Sequence, residues 1–205
     1  MKTPPMVSVK EREDHEKTHA PYRGWCRYCV MGRGQKEPHR RTADNAEEDF
    51  GKVPRISMDY FFMSKKDEEA KENPLIVMMD EETGEKYARA VGHKGVGSSG
   101  DRDWLIKDMD SELKAWGHSG GTAGHIIMKS DGEAAVVALR NAVAEYHGGR
   151  VSPEVPAKGE SQSNGRVEEA GKTVREFTRV LKEQIEEKAK MELGCSMVIV
   201  LWMVR

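Results

Sequence analysis

Apolar residues in this chain fall in short blocks, and the spacing inside the blocks changes from alternating to helical along its length. Ile56 to Met63 reads as a strand carrying an aromatic cluster, Tyr60-Phe61-Phe62. Leu75 to Met79 is wholly apolar and predicts a short buried strand. Glu81-Glu82-Thr83-Gly84 is a turn, and Lys86 to Val91 forms the returning arm of a hairpin. The Gly- and Ser-rich stretch 92–101 predicts a loop. Asp101 or Asp103 is expected to cap a helix over 103–116, with Leu105, Met109, Leu113 and Trp116 at helical spacing. Gly117 to Gly124 ends it. Ile126 to Met128 is another short strand, and a helix is expected from Glu133 to Tyr146. Residues 148–165 are irregular, with a brief strand near Val151. The last helix is expected from Arg166 to Lys190, with Val167, Val174, Phe177, Leu181 and Ile185 packing on the core. A meander followed by strands alternating with helices predicts an α/β fold, a mixed sheet flanked by helices.

Composition narrows this picture. The 205 residues are 33% charged and 37% hydrophobic, enough for one modest core. No run approaches the ~18 apolar residues of a membrane helix. Met1 to Lys10 lacks a hydrophobic signal core. The longest apolar stretch, Met197 to Val204, reads as a truncated tail. Three cysteines, Cys26, Cys29 and Cys195, argue against a disulfide framework. The net charge of −2 hides a division: residues 1–55 hold 12 basic and 9 acidic groups, residues 56–131 hold 10 and 15. A nucleic-acid footprint must then be local. The expected organisation is a basic His/Cys module at 1–41, a polar linker at 42–55, a core at 56–192 and the apolar tail at 193–205.

Three carboxylates stand at the ends of elements. Asp59 interrupts an apolar strand, where a charge is costly to bury without compensation. Asp131 follows a strand directly, and Glu168 opens the final helix. Taken singly, Asp131 reads as a helix cap and Glu168 as a complement to the helix dipole. Converging at one sheet edge, the three would bind two hard divalent cations through oxygen and activate a nucleophile against a phosphodiester.

With their flanks, these residues carry a resemblance. Ser161-Gln162-Ser163-Asn164-Gly165-Arg166-Val167-Glu168 resembles the turn into the catalytic helix of retroviral and retrotransposon (copia-like) integrases, the DDE type with a ribonuclease-H-like core. Asp131 and Glu168 are separated by 36 residues, close to that family's spacing. Ser130-Asp131-Gly132 is similar to its second motif, and Asp59 matches the first by its place in the first core strand. The 71 residues between Asp59 and Asp131 exceed the retroviral gap. The resemblance implies a catalytic triad of Asp59, Asp131 and Glu168 holding Mg2+ or Mn2+. It implies 3′-end processing and strand transfer on DNA, with element ends and target DNA as partners. It also implies a homo-oligomer when complete, no membrane, and an intracellular site, nuclear or in virus-like particles. His15-x3-His19 followed by Cys26-x2-Cys29 resembles the zinc module that precedes integrase cores, and such a set supplies a tetrahedral N2S2 site for Zn2+. The six residues between His19 and Cys26 are fewer than in the retroviral module, and His39 competes with His15 as fourth ligand. The alternative is a pair of reduced cysteines in a basic arm.

On the last helix, Lys172, Arg175, Arg179 and Lys182 lie 4, 7, 11 and 14 residues past Glu168. At ~100° per residue they form one basic stripe within about 40° of it. The stripe is expected to lack acidic residues beyond Glu168 and, with Gln162 and Asn164, to contact DNA. Two other functions share the residues: a decayed, non-catalytic remnant that binds nucleic acid or zinc, and a ribonuclease-H-type nuclease acting on RNA–DNA hybrids.

Overall fold

The computed structural model describes residues 7–33, 53–97, 99–120, 124–155, 164–194, 200 and 203–204. Its strands are β1 (Arg55–Phe61), β2 (Leu75–Asp80), β3 (Lys86–Ala90), β4 (His125–Ser130) and β5 (Arg150–Glu154). Its helices are α1 (Val9–Thr18), α2 (Arg27–Arg33), α3 (Lys65–Ala70), α4 (Ser99–Ala115), α5 (Ala134–His147) and α6 (Gly165–Ala189). The strands form one sheet in the order β3-β2-β1-β4-β5. β1, β2 and β3 are an antiparallel meander, while β4 runs parallel to β1 and β5 parallel to β4. This mixed α/β sheet with flanking helices is the ribonuclease-H-like arrangement expected.

Alternation in β1 divides the interior in two. Ile56, Met58 and Tyr60 point into a core closed by Leu105, Met109 and Leu113 of α4 and by Val136, Leu139 and Val143 of α5. Phe61 and Met63 belong to a second core on the opposite face, with Val77, Val167, Ala170 and Val204. β2 is buried at every position, which explains its unbroken apolar run. Two buried polar groups in these layers are well paired: His147 meets Asp110 at 2.8 Å, and Arg140 donates to Ser130 Oγ and the Glu154 carbonyl.

Several expectations are corrected. α4 begins at Ser99, so Asp101 and Asp103 lie within the helix instead of before its start. α3 was not expected; Ser64 caps it by accepting from the Asp67 N–H at 3.1 Å. Along α6 only Val167 of the expected stripe is fully buried. Val174, Phe177, Leu181 and Ile185 are half-buried, whereas Val180 and Gln184 are inside. The reason is tertiary: the far half of α6 is covered by the N-terminal module, which approaches from another side. Cys195, His39 and most of the 42–55 and 193–205 segments lie outside the described residues.

Candidate functional site

α1 is polar apart from the exposed Val9, and its buried side chain is His15. Ser8 caps its start, and His19 ends it with φ 53°, turning the chain sharply. That turn lets six residues suffice between His19 and Cys26. His15 and His19, one turn apart, point the same way, and Cys26 and Cys29 stand at and just inside the start of α2. All four are buried, and one ligand atom from each lies within 4.8 Å of all the others. His15 Nε2 is 3.3 Å from Cys29 Sγ. His19 Nδ1 is 3.4 Å from Cys26 Sγ and 3.9 Å from Cys29 Sγ. Tetrahedral zinc with bonds of about 2.0 and 2.3 Å separates nitrogen from sulfur by about 3.5 Å, so the spacing fits that ion. Burial, then His19 and Arg23, push the His15 pKa down, which favours the neutral imidazole that a metal needs. Trp25 lies 4.9 Å from the His15 ring and Tyr28 5.7 Å from the His19 ring, walling the centre from water.

The apolar support of this module is small: Cys26, Cys29 and Val180 of α6, flanked by Trp25 and Tyr28. So slight a core does not hold two short helices without a further tie. The soft and borderline donors of a His2Cys2 set suit zinc, which would supply that tie.

The second group of interest lies at the sheet. Met58 pairs with Ser130 across the parallel strands β1 and β4, so Asp59 and Asp131 come next on each, side by side. Alternation puts Asp59 on the face that α6 covers farther along, with Phe61. Asp59 Oδ1 accepts the Tyr60 N–H at 2.7 Å, and Asp131 Oδ1 accepts the Glu133 N–H at 3.0 Å. The Asp59 pKa is pushed up to about 6, chiefly by burial. The Tyr60 N–H and Lys94 work against that rise, while Asp131 and Glu133 add to it.

Glu168 is in the first turn of α6 and exposed. The helix passes close over β1 where Gly171 meets Phe61, so that a Cβ there would sit 3.4 Å from the ring. Among the described residues the three carboxylates form no set of ligand atoms as tight as that of the His/Cys group.

The other predicted contacts divide. Gln162 lies outside the described residues. Asn164 is the N-cap of α6 but makes no side-chain cap bond, and its Oδ1 is buried. Lys172 is exposed, with Nζ 3.9 Å from Glu169. Arg175 is half-buried, its guanidinium 5.6 Å from the Phe61 ring, and burial lowers its pKa. Arg179 reaches the Met63 carbonyl at 3.4 Å. Lys182 pairs with Glu186 at 2.7 Å. Glu186 therefore shares the stripe, correcting the expectation that it lacks acidic residues beyond Glu168. Sequence reasoning also missed Lys94 and Glu133, which flank the Asp59–Asp131 pair. Glu133 lies two residues past Asp131, a closeness visible in the chain; Lys94 sits in a Gly-rich loop that gave no signal.

No family model matches the chain, and no curated protein does. Among solved structures it is similar to a chain of the simian T-cell lymphotropic virus intasome, imaged by cryo-electron microscopy in complex with PP2A regulatory subunit B56 gamma. The identity is 14% and the TM-score 0.41, over 75% of this chain and 48% of that one. Among the described residues no helix is long and apolar enough to cross a membrane.

Proposed function

We propose that this chain is the zinc-bearing and catalytic part of a retrotransposon-type integrase, a polynucleotidyl transferase that processes DNA 3′ ends and joins them to target DNA. The observation that carries the reading is the register of neighbouring parallel strands, which sets Asp59 within β1 beside Asp131 just past the end of β4. Both offer hard oxygen donors. With Glu168 from α6 they would hold the magnesium or manganese ions. When bound, such a pair stabilises the attacking and leaving oxygens at phosphorus. The chain itself orients both aspartates through the Tyr60 and Glu133 N–H groups. Gln162, Asn164, Lys172, Arg175, Arg179 and Lys182 hold the DNA end. The His15–His19–Cys26–Cys29 centre organises the N-terminal module around Zn2+. Element ends and target DNA are the partners, the complete protein is a homo-oligomer, and its place is the nucleus or a virus-like particle.

The test uses the zinc-loaded full chain, a labelled duplex end and Mn2+. Nicking near the 3′ end and joining to a second duplex are expected, both lost in Asp131→Asn at unchanged thermal stability. Cleavage of an RNA–DNA hybrid without joining would assign a ribonuclease-H-type nuclease.

A second reading is a non-catalytic remnant that keeps the fold and binds zinc or nucleic acid. The exposure of Glu168 favours it, as does the lack, among the described residues, of a carboxylate ligand set as tight as the His/Cys group. Absence of any metal-dependent reaction, with zinc still bound, would select this reading.

A further inference from the structure

We propose that Lys94 is a positioning residue of the Asp59–Asp131 site: the counter-ion of Glu133 beside the aspartate pair, which moves to a phosphate oxygen of a bound nucleic-acid strand when a divalent cation arrives. The inference rests on the reading of Asp59 and Asp131 as a cation site.

Lys94 lies in the loop that follows β3, far from the carboxylates in sequence. Its Nζ is 2.8 and 3.0 Å from the two carboxylate oxygens of Glu133. It also stands 5.4 Å from the centres of both the Tyr60 and Phe62 rings, the residues that follow Asp59. The ammonium thus stands where the last residues of β1 meet the start of α5, beside the aspartate pair. Its charge opposes those of Asp131 and Glu133 at the Asp59 carboxyl.

The loop is built to hold Lys94 there. The Gly95 N–H donates to the Tyr60 hydroxyl at 2.9 Å. Gly95 has φ +88°, and a Cβ on it would lie 3.5 Å from Ala135 of α5. The backbone is therefore anchored to both sides of the site, and the four-carbon stem is what remains free to turn. The pair is not locked: the Lys94 and Glu133 side chains are 29% and 38% exposed. A partly exposed ion pair is weak enough to be exchanged for another anion. Lysine, a compact point charge on a flexible stem, suits that exchange better than a rigid guanidinium.

An ordinary surface ion pair beside the start of α5 would account for the Glu133 contact alone. It gives no reason for the two ring contacts or for the anchoring of the loop to Tyr60. An arriving cation would repel Lys94, and the nearest new anion would be the phosphate the cation serves.

The experiment measures Mn2+ binding and nucleic-acid binding on the zinc-saturated full chain. Lys94→Gln is expected to tighten Mn2+ binding roughly threefold, because it removes a competing charge. With Mn2+ present it is expected to flatten the slope of log K against log salt by about one on duplex DNA. Lys94→Arg is expected to restore the slope. A merely structural role would not tighten cation binding. If Asp131→Asn abolishes Mn2+ binding but Lys94→Gln changes neither quantity, the role of Lys94 is overturned and the cation site stands. If Asp131→Asn leaves Mn2+ binding unchanged, the cation site itself falls, and the Lys94 proposal with it.

Discussion

Met58 of β1 and Ser130 of β4 are paired in parallel register, and the residue following each is an aspartate. Parallel neighbours run about 4.8 Å apart, so two carboxylates at matching positions repel unless a counter-charge lies between or beside them. Lys94 and the N–H groups of Tyr60 and Glu133 supply part of that compensation.

The N-terminal module is expected to depend on metal. Purified protein should carry about one zinc per chain. His15→Ala should weaken zinc binding by more than roughly a hundredfold, since loss of an outer partner alone costs up to that much. Chelation should erase the α1 and α2 signals in an NMR spectrum while the sheet signals persist. Freely titratable Cys26 and Cys29 in metal-analysed, zinc-free protein with the module still folded would contradict this.

Gly32 lets the module pack tightly on α6: a Cβ on it would run into Val180. Gly32→Val is expected to lower stability by about 1–3 kcal/mol through overpacking. Adding Val180→Ala should recover part of the loss. A double-mutant cycle in guanidinium denaturation reads the coupling, and simple additivity would show that the contact is unimportant.

Asp80 provides a pH test away from the candidate site. Its burial alone would raise the pKa, but His118 Nε2 at 2.9 Å and the N–H groups of Glu82 and Thr83 outweigh burial and hold the carboxyl below its usual 3.8. A folded pKa below the unfolded one adds stability that is complete above the unfolded value and lost as pH falls through the folded value. Asp80→Asn is therefore expected to cost about 1–3 kcal/mol at pH 7. The gap from wild type should shrink in acid. Urea denaturation at neutral pH and near pH 3 measures it, and a constant gap would contradict the sign.

The basic stripe on α6 is uneven. Lys172 and Arg179 are exposed, while Lys182 is engaged by Glu186. Lys172→Ala with Arg179→Ala should flatten the log K versus log salt slope on duplex DNA by about two. Lys182→Ala should change it less. Equal effects from all three would mean that the Lys182–Glu186 pair opens on binding.

Periodicity made β1, β2, β3, β4, α5 and the extent of α6 legible, because each buries a regular set of apolar positions. It failed where order comes from elsewhere. α1 has no apolar stripe, and its buried residue is a histidine facing two sulfurs. The His15–His19 and Cys26–Cys29 spacings nonetheless exposed the centre. α3 is six residues long, too short for a period to register. The Gly-Ser run before α4 read as loop, yet Ser99 and Gly100 are its first turn. On α6 the burial of Val180 and Gln184 depends on residues more than a hundred positions earlier, which no local pattern reveals. Asp59 was conspicuous as a charge in an apolar strand; its neighbour Lys94 was not.

The seating of the module on α6 also sets an order of events during synthesis. Val180 closes its small core, Gln184 donates to the Glu16 carbonyl at 3.3 Å, and Glu187 pairs with Arg27 at 3.0 Å. Each joins the first fifth of the chain to the last. The module therefore acquires its seat only after residue 187 has emerged, having waited through the making of the entire sheet. Until then Trp25, Tyr28 and two thiols stand without the helix that covers them, and a metal held by the two histidines and two cysteines would shelter the module in the nascent chain.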